Sequence, residues 1–328
     1  MKKMIFTSFT LLILGLGCQK KDAAKEEALV GEEEAFVAPT SRQCASMEVL
    51  EEQMAADPAR RKRLEEIENF TQRTMAASKG RFVGDIMEIP VVVHVVYKTP
   101  AENISDEQVQ SQITVLNEDF QKTNADRVSV PLHFQDEHTS MPIRFVLSQI
   151  IRKQTNKRSW GTNDAVKKSS LGGSDPVSPS THLNMWACNL GQSLLGYAQF
   201  PGGPLATDGV VVLYSAFGSQ DKAPGTYVAN YNLGRTATHE VGHWINLRHI
   251  WGDATCGSDF VDDTPLHNTS NGGCPSTTHR STCTGTPLEM WMNYMDYTYD
   301  ACMYMFSNGQ KERGMAVFAV GGPRESFR

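Results

Sequence analysis

No stretch of this chain is apolar for long enough to hold a transmembrane helix in a bilayer core, which takes roughly 20 such residues. The N-terminal run Met4 to Leu16 stops short of that. With Lys2 and Lys3 before it and Gly17-Cys18 after it, the run fits an export signal instead. An excess of basic residues is also missing. Lys and Arg total 31 against 37 Asp and Glu, a formal charge of −6, and the two signs are interspersed, so no basic stripe exists to follow a phosphate backbone and nucleic acid is excluded as a partner. There is no internal repeat, which excludes stacked-repeat architectures. Histidine and cysteine are scarce, at nine and seven residues, so their clustering carries information.

What is present suits a globular protein: 40% hydrophobic and 21% charged residues over 328 positions supply one large or two modest cores. From Gln19 to about Gly80 the sequence is rich in Glu, Lys, Arg and Ala. Its part up to Val37 reads as a tether. Met47 to Ala77 is helical in composition, with Leu50, Met54, Leu64, Ile67 and Phe70 at roughly helical spacing and a break at Asp57-Pro58. From Phe82 the texture changes. "IMEIPVVVHVVYKT" is a buried strand by its β-branched run, and Ser105 can cap a helix whose apolar face is Val109, Ile113, Leu116 and Phe120. "IRFVLSQI", "HLNMWACNL" and "DGVVVLYSAF" read as further strands. A helix through "RTATHEVGHWINLRHI" to about Ile245 follows, then an irregular Cys/Gly/Thr/Ser/Pro-rich stretch, then a last helix in "FSNGQKERGMAVFAV".

The central helix carries the chemistry. His239 and His243 are one turn apart on one face, so both imidazoles can reach a single cation. Glu240 stands beside the first of them, where a carboxylate can take a proton from water without binding the metal itself. His249 is out of phase for a continuing helix and becomes a third ligand only if the chain turns sharply near position 246. Asn246 stands there, one of the few non-glycine residues that enters the left-handed region readily. A fourth metal position stays open, as catalysis requires. The bland alternatives are a chance cluster and a structural zinc; Glu240 has no use in either.

The cysteines fit an exported chain. Cys256, Cys274, Cys283 and Cys302 fall in the irregular stretch and suggest two bridges, for which three connectivities exist. Cys188 lies in a strand pattern and is expected to be a buried unpaired thiol. An export signal ending at Cys18 resembles a bacterial lipobox, in which that cysteine carries a lipid anchor.

His239-Glu240-x-x-His243-x-x-Asn246-x-x-His249 resembles the long zinc signature of the metzincin metalloproteases, which has glycine where Asn246 stands. "NYMDY" supplies a methionine turn, Met295, with Tyr297 two residues on. That turn, the following "DACMYMFSNGQKER" and the cysteine pattern resemble the bacterial and archaeal branch of the pappalysin family, from about Arg42 to Arg328. The resemblance implies an α+β fold: a metzincin-like catalytic domain with a twisted mixed β-sheet, a backing helix, a zinc-binding active-site helix and an irregular, disulfide-stapled lower subdomain. It divides the chain into a signal (1–18), a tether and helical propeptide (19–80) and a metalloprotease domain (81–328). It implies zinc on His239, His243 and His249, Glu240 as general base and acid, Met295 as the floor under the histidines, and Tyr297 stabilising the oxyanion. It pairs Cys256 with Cys283 and Cys274 with Cys302. "GSDFVDDTP" resembles the family's calcium loop, giving Asp259, Asp262, Asp263 and Thr264 as calcium ligands.

"SRQCAS" resembles a cysteine switch, in which Cys44 occupies the fourth zinc position in a latent precursor. Family members of this branch prefer Arg or Lys just after the cut bond. Asp300 is then the candidate pocket charge, and Lys79 and Arg81 mark a basic stretch where the propeptide could be cut. "LLGYAQFPGG", Leu194 to Gly203, resembles the rim strand against which an extended peptide substrate lies. Two other functions compete with a zinc endopeptidase: a catalytically silent metal-binding surface lipoprotein, and a zinc hydrolase acting on non-peptide bonds.

Overall fold

The computed structural model describes residues 38–78 and 86–328. The expected export signal, Cys18 and the basic stretch with Lys79 and Arg81 lie outside the described residues. Among the described residues no helix is long and apolar enough to cross a membrane.

Two helices come first, α1 (Ser46–Ala56) and α2 (Pro58–Ser78), separated at Asp57. Proline has no N–H to give and its fixed φ suits the first helical position, so the break falls where Asp57-Pro58 predicts it. The sheet has five strands in the order β2-β1-β3-β5-β4. They are β1 (Met87–Tyr97), β2 (Ile143–Gln154), β3 (Leu183–Cys188), β4 (Gly196–Ala198) and β5 (Val210–Leu213). All neighbours are parallel except β4, which runs antiparallel to β5 at the edge. β3 and β5 are buried at every residue, as strands covered on both faces must be, and this explains why β5 is wholly apolar and β3 apolar but for Asn184, whose side chain is bonded to the backbone of Val177 and His182.

Helix α3 (Asp106–Phe120) is the backing helix. The Ser105 hydroxyl accepts from Gln108 N at 3.1 Å, and Val109, Ile113, Leu116 and Phe120 are buried. Each such side chain contributes about 1.5–3 kcal/mol by leaving water. Asn117 clamps this helix to β2 through both the N–H and the carbonyl of Phe145, at 2.8 and 2.9 Å. On its other side Asp119 accepts from Thr238 Oγ1 at 2.7 Å, tying it to helix α4 (Arg235–Trp244). At the far end of α4, Trp244 Nε1 donates to Asp208 at 3.0 Å, and the Asp208 carboxylate also takes a two-pronged ion pair from Arg324. Helix α4 is thus fixed at both ends by buried polar contacts.

Beyond α4 the chain forms no further α-helix or β-strand until α5 (Asn308–Ala316). Cys256–Cys283 and Cys274–Cys302 staple this lower half, the interlaced choice among the three connectivities. Cys188 is a buried free thiol in β3, with burial raising its pKa beyond the ordinary thiol range.

Candidate active site

Every residue of α4 is buried, which a short helix tolerates only if its polar side chains have specific partners. The helix ends at Trp244, and Asn246 takes φ 78°, the left-handed conformation the histidine spacing demands. Leu247 N then donates back to Gly242 O at 2.9 Å, closing the turn and bringing His249 beside the other two.

The imidazoles are held by their Nδ1 atoms. His239 donates to Tyr294 O at 2.7 Å and His243 to Leu247 O at 2.8 Å; a carbonyl can only accept, so Nδ1 carries the proton and Nε2 is bare in the neutral ring. His243 Nε2 nevertheless lies 3.1 Å from His239 Nε2 and 3.1 Å from His249 Nε2. Burial, reinforced by the neighbouring histidines, holds the pKa of His239 and of His243 well below the usual imidazole value, so a proton does not resolve the clash of lone pairs. A cation does. Zinc–nitrogen bonds of ~2.0–2.1 Å at a tetrahedral angle span about this separation, and the donor set fits zinc.

Cys44 completes the set: its Sγ and the three Nε2 atoms all lie within 4.8 Å of one another. Burial, and Glu240 beside it, raise the Cys44 pKa well above the ordinary value, so in the absence of a cation the thiol keeps its proton. It donates to Glu240 Oε2 at 3.3 Å. Ser46 Oγ donates to the same oxygen at 2.9 Å and accepts from Ala198 N at 2.8 Å. Burial lifts the Glu240 pKa to about 8, an effect opposed by these two hydrogen bonds. The Tyr297 hydroxyl is 3.2 Å from His249 Nε2, donates to Cys44 O at 3.2 Å and accepts from Cys44 N at 3.3 Å.

The segment carrying Cys44 lies along β4 in parallel sense, with Leu195 N donating to Gln43 O and Ala45 N to Gly196 O. Two residues earlier, Arg42 enters a buried pocket. Its Nη2 meets Asp300 Oδ1 at 2.6 Å, Nη1 reaches Thr236 Oγ1 at 3.1 Å, Nε reaches Thr298 O at 3.3 Å, and the guanidinium lies 5.1 Å from the Tyr231 ring centroid. Asp300 Oδ2 meanwhile accepts from Leu233 N and Arg235 N, so the residue both caps α4 and faces the cation.

Two glycines mark where side chains are excluded. A Cβ on Gly242 would sit 2.3 Å from Met295 Sδ, so the methionine packs directly into the helix between the two histidines. A Cβ on Gly196 would sit 2.7 Å from Glu240 Oε1, so the rim strand passes closely over the carboxylate. Met295 O also accepts from Ile250 N, linking the methionine turn to the chain after His249.

The four expected calcium ligands do not form one cluster. Thr264 Oγ1 lies 2.9 and 3.0 Å from the Asp259 carboxylate oxygens and 3.0 Å from Val261 O. Asp263 is spent elsewhere: it accepts from Ser307 Oγ and Gly309 N at the start of α5, where the helix's free N–H groups attract a carboxylate, and Asp262 is exposed. Sequence reading also passed over Arg42, Ser46 and Asp253, the last of which accepts from His249 Nδ1 at 2.5 Å. For Arg42 a signal existed, a basic residue two positions before the cysteine. Ser46 and Asp253 have no motif, because their partners are distant in sequence or set by an irregular turn.

Comparison with known proteins agrees with this geometry. The model of the family described as pregnancy-associated plasma protein-A matches residues 195–319. An extracellular metalloprotease of Arthroderma benhamiae is 30% identical over 251 residues, covering 74% of this chain and 83% of that protein. Mature mirolysin of Tannerella forsythia, solved with a cleaved peptide, is 45% identical with a TM-score of 0.71, covering 74% of this chain and 96% of that one. A promirolysin variant from the same organism is 42% identical with a TM-score of 0.79, covering 87% of this chain and 97% of that one. Bare imidazole nitrogens converging beside an unliganded glutamate, a methionine packed beneath them and these relatives lead to one conclusion: the chain belongs to the pappalysin family of metzincin zinc metalloproteases.

Proposed function

We propose that this chain is the latent precursor of an exported endopeptidase that cuts extended peptides before arginine or lysine. The observation that carries the reading is the double occupation of the cleft by one short segment, Cys44 among the three imidazoles and Arg42 against Asp300. A basic side chain seated in a buried acidic pocket beside the metal site is what a substrate's residue after the scissile bond would do.

A zinc ion on His239, His243 and His249 supplies Lewis acidity, making water nucleophilic near neutral pH and polarising a carbonyl. Once the prosegment leaves, Glu240 Oε2 loses Cys44 and Ser46 and is free to take a proton from the attacking water and return it to the leaving amine. Tyr297, released from the backbone of Cys44, can donate to the charge developing on the substrate carbonyl oxygen. Leu195 N, Gly196 O and Ala198 N, all now bonded to the prosegment, are the edge groups of the rim strand that an extended peptide would use. With both Glu240 and Tyr297 at the site, turnover is favoured over silent metal binding.

Residues 19–80 act as the prosegment in this reading, released by cutting near Lys79 and Arg81. Met1 to Leu16 directs export, with Cys18 available for a lipid tether; relatives named extracellular metalloproteases accord with export. Calcium, where it binds, uses Asp259, Thr264 and the Val261 carbonyl. The test is to incubate the purified precursor with and without a zinc chelator and sequence the new N-termini. Chelator-sensitive cuts that leave Arg or Lys as the new first residue are expected. Cuts that survive chelation, or that ignore basic residues, refute the reading.

A further inference from the structure

Three imidazoles converge on the metal position, but their outer nitrogens are not held alike. His239 and His243 donate to backbone carbonyls. His249 donates to a carboxylate, Asp253 Oδ1, at 2.5 Å. We infer that Asp253 is a positioning residue for the metal: it fixes the tautomer and plane of His249 and makes that ring the most electron-rich of the three ligands.

The physical case rests on charge. A carboxylate accepting from Nδ1–H pulls that proton outward and pushes electron density toward Nε2, which strengthens the bond an imidazole makes to a cation; a carbonyl does this less. His249 needs such help most. His239 and His243 are carried by a buried helix, whereas His249 lies on irregular chain after the turn at Asn246. Its ring is held on one face by Trp251, stacked at 4.3 Å with an interplanar angle of 8°, and steered in-plane by Asp253.

The local backbone is built to hold that carboxylate. Asp253 adopts φ 57° and Gly252 φ 63°, two successive left-handed residues that curl the chain back toward the ring it has just left. A side chain at Gly252 would meet the backbone of Ser258 at 2.5 Å, so the turn is closed by its own continuation. Three residues on, Cys256 is bridged to Cys283. This gives the first disulfide a direct task in the site: it anchors the turn that presents Asp253 to the third ligand. Strain of this sort, in a non-glycine residue at positive φ, persists where surrounding contacts impose it.

The inference rests on zinc occupying the histidine site, and its test separates the two. Zinc retention of the full-length precursor is titrated against a competing chelator for the parent chain, Asp253→Asn and Asp253→Ala. The visible spectrum of the cobalt-substituted forms and the melting temperature of the metal-stripped forms are recorded alongside. Loss of an orienting partner of this kind weakens metal binding about 10–100-fold. Asp253→Ala is expected to fall in that range. Asp253→Asn, which keeps an acceptor oxygen without the charge, should fall between it and the parent. Both should shift the cobalt bands; Asp253→Asn, which tolerates the left-handed φ as aspartate does, should leave the metal-stripped melting temperature unchanged, while Asp253→Ala should lower it by less than its loss of zinc affinity accounts for. Zinc affinity within twofold of the parent in both variants would overturn the role of Asp253 alone, as would a weakening fully matched by a drop in metal-stripped stability. A parent chain that retains no zinc would overturn the metal reading itself. Should the alanine variant fail to fold, the asparagine variant decides.

Discussion

Replacing Arg42 with alanine isolates the pocket contact from the thiol contact in latency. The Arg42–Asp300 pair is 2.6 Å long with both side chains essentially buried, at 1% and 0% exposure. Removing one partner of such a pair costs about 3–5 kcal/mol, because the other charge is stranded. Asp300 is not stranded completely: Leu233 N and Arg235 N still donate to Oδ2, and a vacated cleft admits water. A loss of about 2–3 kcal/mol in prosegment docking is therefore the sounder figure, or roughly 30–150-fold in the fraction of molecules with an open cleft. The assay is the initial hydrolysis rate of a short quenched peptide with arginine after the scissile bond, by Arg42→Ala precursor before any processing is visible on a gel. The rate should rise by that factor, and Arg42→Lys should rise less, since it keeps the charge but loses the fork that also reaches Thr236 and Thr298. A rate unchanged from the parent, with the precursor folded, would refute the pocket reading of Asp300.

Cys44→Ala should mature faster than the parent, by loss of the thiol from the metal position; slower or unchanged conversion would remove it from latency. Glu240→Ala should retain stoichiometric zinc by metal analysis yet fail to cut a denatured protein, and undiminished cutting would remove it from the mechanism. Both Asn246→Val and Asn246→Gly lose the bond from Asn246 Nδ2 to Thr71 Oγ1, but at φ 78° only the β-branched residue is strained, so in a denaturant titration the valine variant should be less stable than the glycine variant by about 1–2 kcal/mol. Burial raises the Asp259 pKa to about 7, opposed by hydrogen bonds from Thr264 and the Val261 N–H. A carboxyl whose folded pKa is raised favours folding at acid pH, and that contribution declines as pH climbs from its unfolded value near 3.8 through about 7. Calcium paired with Asp259 should offset the decline, so its increment in melting temperature should be larger at pH 8 than at pH 5.5; an increment independent of pH would count against Asp259 as a ligand.

The sequence by itself determined the elements whose rules are local. β1 and β5 were legible in β-branched runs, α3 in its Ser105 cap and apolar face, and the break between α1 and α2 in Asp57-Pro58. His239, Glu240, His243 and the turn at Asn246 were legible because helix periodicity and the left-handed preference of asparagine act within a few residues. Tertiary structure alone decided which groups meet across the cleft. Arg42 finds Asp300, and Ser46 reaches both Glu240 and Ala198, over separations that no local propensity governs. It also decided that Asp263 caps α5 and does not join Asp259, because a helix terminus 44 residues later offers that carboxylate unsatisfied N–H groups. Backbone preference is short-ranged and can be read along the chain. The pairing of buried polar groups depends on which ones folding leaves side by side, and only the folded arrangement specifies that.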